Sequence, residues 1–263
     1  MTWLEALILG LLQGLTEFLP VSSSGHLEIG NVLLGVEAKD HLLFTVLVHA
    51  ATALSTIIVF RKDLQELFVD LFRFQWKESW DFAFKIIVSI IPVGIVGLMF
   101  EDEIEQLFSG NLFLVGSALI VTSALLFFTR FQKSNTKDIS FASALIVGLA
   151  QAMAVLPGIS RSGATIATGL MLGVDKTKIT RFSFLMVLIP IFGAALLKAK
   201  DYFEAPAAAG SISGTVLVVG FFAALLSGYA ACKWMLRIVS TGKLIYFAVY
   251  CLIVGVIAIV SQL

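Results

Sequence analysis

Leu19–His26 reads LPVSSSGH, and it closes a run from Leu7 to Leu19 that is apolar apart from Gln13, Thr16 and Glu17. Gln13 and Glu17 stand four residues apart, so on a helix both point the same way. Pro20 disfavours continuing that helix. The serines behind it are natural caps for a new helix, whose free N–H groups could hold an anion. A polar break of this kind inside an apolar stretch makes two short helices instead of one span, and the fold is read outward from it.

The same frame returns further along the chain. Ala6–Leu47 aligns without a gap on Ala144–Leu185, an offset of 138 positions. Gln13 falls on Gln151, Ser22 on Ser160, Ser24-Gly25 on Ser162-Gly163, and Leu34-Gly35-Val36 on Leu172-Gly173-Val174. The chain therefore reads as a single integral membrane domain built from two structural repeats, one over about residues 1–130 and one over about 139–263. The mismatches are as informative as the matches. Glu17 faces Val155, Ser23 faces Arg161 and His26 faces Ala164. One copy supplies a carboxylate and an imidazole, the other a guanidinium.

Composition places this pattern in a membrane. Apolar residues make up 59% of the chain and charged ones 14%, there are 22 Phe, and the mean hydropathy is +0.98. These values are those of an integral membrane protein. The opening segment lacks a basic n-region and carries Glu5, Gln13 and Glu17, so it is not read as a cleaved signal. The formal net charge is zero, which argues against a nucleic-acid partner. Cys232 and Cys251 lie in apolar runs without metal-ligand spacing and read as buried thiols.

Apolar runs suited to crossing a bilayer, which takes about 20 helical residues, lie near Leu42–Phe60, Phe82–Phe100, Leu112–Thr129, Ile179–Leu197, Gly214–Trp234 and Leu244–Val260. The regions Leu4–Val36 and Phe141–Val174 are each split at the serine-rich stretch, and their second halves are too short to cross. The expectation is an all-α polytopic protein of six transmembrane helices plus two re-entrant helical hairpins, arranged as an inverted-topology repeat with the two tips meeting inside. Lys and Arg total 18; fourteen of them fall on one side of this topology, three on the other, and the last is Arg161. That bias puts both termini and the acidic stretch Glu101–Glu105 outside the cytoplasm. Arg61–Asp81 reads as an interfacial segment anchored by Trp76 and Trp80.

Arg161, with Ser160, Ser162, Gly163 and Thr165 around it, suits bidentate recognition of phosphate or carboxylate. Its structural alternative is an ion pair with Glu17. A guanidinium at membrane depth costs about 2.5–3.5 kcal/mol on insertion scales, so it needs a partner or a wet cavity. Glu17 reads as a general base, a metal ligand or a counter-ion, and the residues leave the three open. Gln13 either orients a ligand or pairs with Gln151. His26, three residues beyond Ser23, is placed to take a hydroxyl proton, with a backbone-bonded histidine as the alternative. Ser23 is the first choice for nucleophile because the repeat does not require a hydroxyl there. Ser22 and Ser24, with Ser160 and Ser162, read as caps or anion ligands. His49 is a candidate lining residue, and Glu28 and Asn31 are candidates for an outer vestibule.

These motifs resemble the undecaprenyl-diphosphate phosphatase family, also called bacitracin-resistance proteins. QGLTEFLPVSSSGH carries Gln13, Glu17, Ser22, Ser23 and His26 in the pattern of the family's first signature, and PGISRSGAT carries Pro157, Gly158, Ser160, Arg161, Ser162 and Thr165 in that of its second. Position 13 is Gln where many members have Glu. The resemblance covers nearly the whole chain. It implies hydrolysis of undecaprenyl diphosphate to the monophosphate carrier of cell-wall synthesis, in the bacterial cell membrane, with a divalent cation, Mg²⁺ or Ca²⁺. Glu17, Ser23, His26 and Arg161 would then be catalytic, with Glu17 also at the metal, and Gln13, Ser22, Ser24, Ser160, Ser162 and Thr165 would bind substrate. The partners are a polyprenyl diphosphate and the bilayer, with room for a homodimer.

Two other classes share parts of the pattern. Inverted repeats with broken helices also describe a secondary transporter such as a polyprenyl-phosphate flippase, although the asymmetry between the copies argues for a one-sided reaction site. An intramembrane serine protease would use Ser23 and His26, but has no dianionic headgroup for Arg161 to neutralise.

Overall fold

Helix α1, Trp3–Phe18, starts on a capping box in which Thr2 and Glu5 satisfy each other's backbone N–H groups, and it ends at Leu19, whose backbone is extended ahead of Pro20. At 16 residues it is about 24 Å long, short of the roughly 30 Å hydrocarbon core. Helix α2, Ser23–Leu34, is shorter still and stops at Gly35, a left-handed residue whose N–H reaches back to the last turn. The chain is seen as a computed structural model that describes residues 1–36, 38–73, 77–108, 110–132, 136–204, 212–241 and 243–262. Trp76, expected as an anchor, and Lys133, counted in the charge bias, lie outside the described residues.

The remaining helices are α3 (Ala38–Val59), α4 (Arg61–Arg73), α5 (Lys77–Met99), α6 (Glu101–Leu107), α7 (Leu112–Phe128), α8 (Phe141–Met153), α9 (Arg161–Met171), α10 (Lys176–Met186), α11 (Leu188–Glu204), α12 (Gly214–Thr241) and α13 (Ile245–Val260). Among the described residues there is no β-strand, only one isolated bridge between Lys137 and Val174. Four helical stretches among the described residues are long and apolar enough to cross a membrane: Glu78–Met99, Leu112–Phe131, Lys176–Leu197 and Gly214–Val239. Leu43–Val59 with Arg61–Asp70 makes a fifth if the pair is one span, but it bends by 74°. The chain is thus an all-helical, multi-pass membrane protein.

Several elements differ in detail from the sequence reading. The expected interfacial segment after residue 60 is itself helical, α4, turned sharply off α3. The acidic stretch at Glu101 forms the short helix α6. The expected span Ile179–Leu197 is interrupted at Val187 between α10 and α11. Pro190 explains that interruption, because it has no N–H to offer the carbonyl of Met186. The last apolar run is a 16-residue helix, α13, again shorter than a bilayer core.

Packing joins the two halves of the chain. α1 lies along α12, α8 lies along α5, and α7 lies along α13. The α7–α13 contact is closest at Gly116 and Gly255, where a Cβ on either residue would fall 2.6–2.7 Å from the other's carbonyl oxygen. No larger residue fits at either position. The largest buried cluster runs from Phe18 through Ile166, Phe182 and Met186 to Met235, so α1, α9, α10 and α12 share one core beside the two helix breaks.

Candidate active site

The two broken tips meet. Ser162 Oγ donates to the Leu19 carbonyl at 3.2 Å, and a Cβ on Gly25 would lie 2.9 Å from Gly158 Cα. Each tip has the same capping plan. Ser22 Oγ accepts from Gly25 N at 3.2 Å and lies 3.2 Å from Ser24 Oγ, while Ser160 Oγ accepts from Gly163 N at 3.0 Å and lies 3.3 Å from Ser162 Oγ. Their backbones differ. Ser160 has an ordinary φ of −70°, whereas Ser22 has φ 69°, the one positive φ outside glycine among the described residues. In the second tip the turn is made at Gly158, φ 98°. Its aligned position in the first tip is Pro20, whose ring holds φ near about −65°. The left-handed residue is therefore displaced to Ser22, at a strain of about 1–3 kcal/mol.

Glu17, in the last turn of α1, gathers the polar groups. Its Oε1 forms an ion pair with Arg161 Nη2, from the first residue of α9. Its Oε2 accepts from Ser23 Oγ at 2.5 Å and from Gln13 Nε2 at 2.9 Å, with His49 Nε2 3.7 Å away. The Glu17 side chain is 7% exposed and that of Arg161 25%. Ion pairs this buried add little net stability, since desolvation offsets the attraction. Ser23, Glu17 and Arg161 come from α2, α1 and α9, so only the break at both tips brings them together.

A narrow pocket adjoins this cluster. Its polar lining is Glu17, Arg161, Ser162, Thr52, Thr56 and Ser183; Phe18, Ala53, Phe184, Val187 and Ile191 complete it. Thr52, Thr56 and Ser183 were not singled out in the sequence. His49, Thr52 and Thr56 recur at i, i+3, i+7 on α3, a polar stripe that would have found two of them.

Several expected residues take other partners. His26 does not bond Ser23: its Nδ1 lies 2.8 Å from the Ser22 carbonyl and its Nε2 2.8 Å from the Tyr250 hydroxyl of α13. Thr165 is fully buried, donating to the Arg161 carbonyl at 2.8 Å and lying 2.6 Å from Ser183 Oγ, so it fastens α9 to α10. Ser160 is buried as well, held through Thr122, which accepts from its N–H at 2.9 Å and donates to the Gly158 carbonyl at 3.1 Å. Gln13 does not pair with Gln151; its Nε2 also lies 3.5 Å from Thr52 Oγ1, and the buried amide of Gln151 has no hydrogen-bond partner. Glu28 and Asn31 are buried instead of lining a vestibule, and Glu28 accepts from Gly110 N at 2.9 Å, tying α2 to the turn before α7. Both cysteines are free and buried. At the basic rim, Arg181 pairs with Asp63 at 2.8 Å and Lys178 with Asp138. Asp138 is held below the usual carboxylate range by its hydrogen bond from Lys178.

Among the described residues no group of three or more His, Cys, Asp or Glu could hold a metal ion. A hard cation that keeps phosphate and water ligands needs fewer protein oxygens. Gln13 Oε1 is buried without a partner while its Nε2 bonds Glu17. A Mg²⁺-like ion bringing most of its ligands with it would find Gln13 Oε1 and the Glu17 carboxylate here.

Comparison with known proteins bears on this arrangement. The family model described as "Bacitracin resistance protein BacA" matches residues 6–257. An undecaprenyl-diphosphatase of Bacteroides fragilis is 54% identical over 265 residues, covering 100% of both chains. That of Bacteroides thetaiotaomicron is 52% identical over 264 residues, again over 100% of both, and that of Methanosphaera stadtmanae 40% over 275 residues, covering 98% of this chain and 97% of the relative. The chain belongs to the bacitracin resistance protein BacA family.

Proposed function

We propose that this protein hydrolyses undecaprenyl diphosphate to undecaprenyl phosphate and inorganic phosphate, returning the lipid carrier to cell-wall synthesis. The observation that carries the reading is the Glu17 carboxylate held between Arg161 and Ser23 at the junction of the two tips. The full-length relatives bear the same name for their activity.

The chemistry follows from charge. A diphosphate competes with Glu17 for Arg161, since it offers the guanidinium more negative oxygens. Glu17 is then free to accept the Ser23 proton across the existing hydrogen bond. Ser23 Oγ attacks the terminal phosphorus, the anhydride P–O bond breaks, and undecaprenyl phosphate leaves as an anion. Glu17 passes that proton to the departing phosphate and then deprotonates a water that attacks the phosphoserine; the P–Oγ bond breaks, phosphate is released, and Glu17 returns the proton to Ser23 Oγ. Arg161 and the N–H groups at the start of α9 stabilise the equatorial oxygens where charge develops. Glu17 and Gln13 Oε1 would hold the divalent cation, which when bound neutralises part of the diphosphate charge.

The arrangement behind this is an inverted repeat of two re-entrant hairpins and six crossings, in the cell membrane, with termini and site opening away from the cytoplasm. The exchanged pairings α1 on α12 and α8 on α5, and the reciprocal Gly116–Gly255 contact, support a two-fold relation between the halves. The fourteen-to-three distribution of basic residues supports the orientation.

The test is phosphate release by purified protein given undecaprenyl diphosphate, with and without chelator, and then in sealed vesicles with an outer-leaflet, non-flipping analogue. Chelator-sensitive release, confined in vesicles to right-side-out protein, is expected. A transporter would release no phosphate, and equal activity in both orientations would overturn the one-sided opening.

A further inference from the structure

We infer that Tyr250, in the last helix, is a positioning residue that fixes the tautomer of His26 and sets what its Nε2 can do during turnover. The inference rests on the reading of His26 as part of the hydrolase site. His26 is 6% exposed, so each ring nitrogen needs a partner. Nδ1 lies 2.8 Å from the Ser22 carbonyl. A carbonyl only accepts, so Nδ1 carries a proton, and in the neutral imidazole Nε2 presents a lone pair. Tyr250 Oη, 2.8 Å from Nε2, must then donate to it. The two rings are 10° from parallel with centroids 5.6 Å apart.

This places His26 outside the Ser23–Glu17 hydrogen bond and under the control of a residue 224 positions away. The strained Ser22 takes part, because its carbonyl accepts from both His26 N, at 3.1 Å, and Nδ1. α13 grips the first tip at a second point, where Cys251 Sγ lies 3.6 Å from the Pro20 carbonyl. The tip that carries the proposed nucleophile is thus docked on α13 through Pro20 and His26 together. With its lone pair capped, His26 exchanges a proton only with Tyr250 or after the phenol withdraws. Its part in turnover begins when the phenol withdraws and the oriented Nε2 lone pair becomes free to accept a proton, and it is not to deprotonate Ser23.

Tyr250→Phe removes the hydroxyl and keeps the ring, which makes it the deciding variant. Tyr246→Phe, an exposed tyrosine one turn earlier on α13, is the control. The measurements are steady-state kinetics and ¹⁵N spectra of histidine-labelled full-length protein in detergent, with the His26 signals assigned by difference from His26→Asn. Wild type should show the Nδ1–H tautomer with a hydrogen-bonded Nε2. In Y250F the Nε2 signal should shift to that of an unbonded acceptor. Losing a partner that orients a catalytic ring costs about 10- to 100-fold, so kcat should fall by that much with KM held within about twofold. Y246F should match wild type in both. Wild-type kcat in Y250F while H26N is inactive would overturn the inference. Full activity in H26N would defeat the catalytic reading of His26 and the role of Tyr250 with it; the nitrogen shift in Y250F would still be seen, so the two failures are distinguishable.

Discussion

The turn before α2 and the turn before α9 share a capping serine, a second serine two residues on and a glycine bonded back to the cap, yet only the first is strained and only the first carries the proposed nucleophile. Where the second tip has Gly158 for its left-handed turn, the first has Pro20, and the left-handed residue becomes Ser22. The second tip is anchored by Thr122 and presents Arg161; the first is anchored by Tyr250 and Cys251 and presents Ser23 to Glu17. In the proposed mechanism one turn holds the anion and the other aims the nucleophile, which divides a duplicated frame between binding charge and making the bond.

The division of labour is broken most severely at the ion pair joining the tips. Arg161→Ala removes the charge that holds the phosphoryl group, and Arg contacts of this kind are worth about 10³- to 10⁵-fold in kcat. Arg161→Lys should recover little, since an ammonium lacks the planar fork. Glu17→Gln should cost about 10²- to 10⁴-fold as a lost base. Stability should behave differently from rate. R161A leaves a buried carboxylate uncompensated, a loss of about 3–5 kcal/mol, whereas the double variant E17Q/R161Q should regain most of that melting temperature and none of the turnover. Equal activity loss with no stability recovery in the double variant would mean that the pair is structural.

Much of this was legible in the sequence. The break at Pro20, the aligned second copy and the demand that Arg161 find a partner at depth were enough to bring Glu17 and Arg161 together. Local pattern reports which residues share a helix face; it does not report which distant helix that face meets. For that reason His26 read as a partner of Ser23, three residues away, when its ring nitrogens go to Ser22 and Tyr250. Glu28 and Asn31 read as vestibule residues for the same reason, although α2 turns them inward against the approach to α7. The 74° bend after α3 had no proline or glycine to announce it. By contrast, the break at Val187 could have been read from Pro190.

A smaller effect sharpens the backbone comparison. Ser22→Gly relieves about 1–3 kcal/mol of strain while giving up a cap that glycine replaces at a cost of a few tenths of a kcal/mol. Its melting temperature in detergent should equal or exceed that of wild type. Ser160→Gly relieves nothing, because φ there is −70°, and it should melt lower. The reverse order would place the strain elsewhere.

The most direct measurement of the division between the tips is rapid quenching of the reaction with substrate labelled with ³²P on its terminal phosphate, followed by peptide mapping. Label on the peptide carrying Ser23, absent in Ser23→Ala together with at least about a 100-fold loss of phosphate release, is the expected result. Near-normal phosphate release by S23A, with no label on that peptide in the wild type, would contradict it.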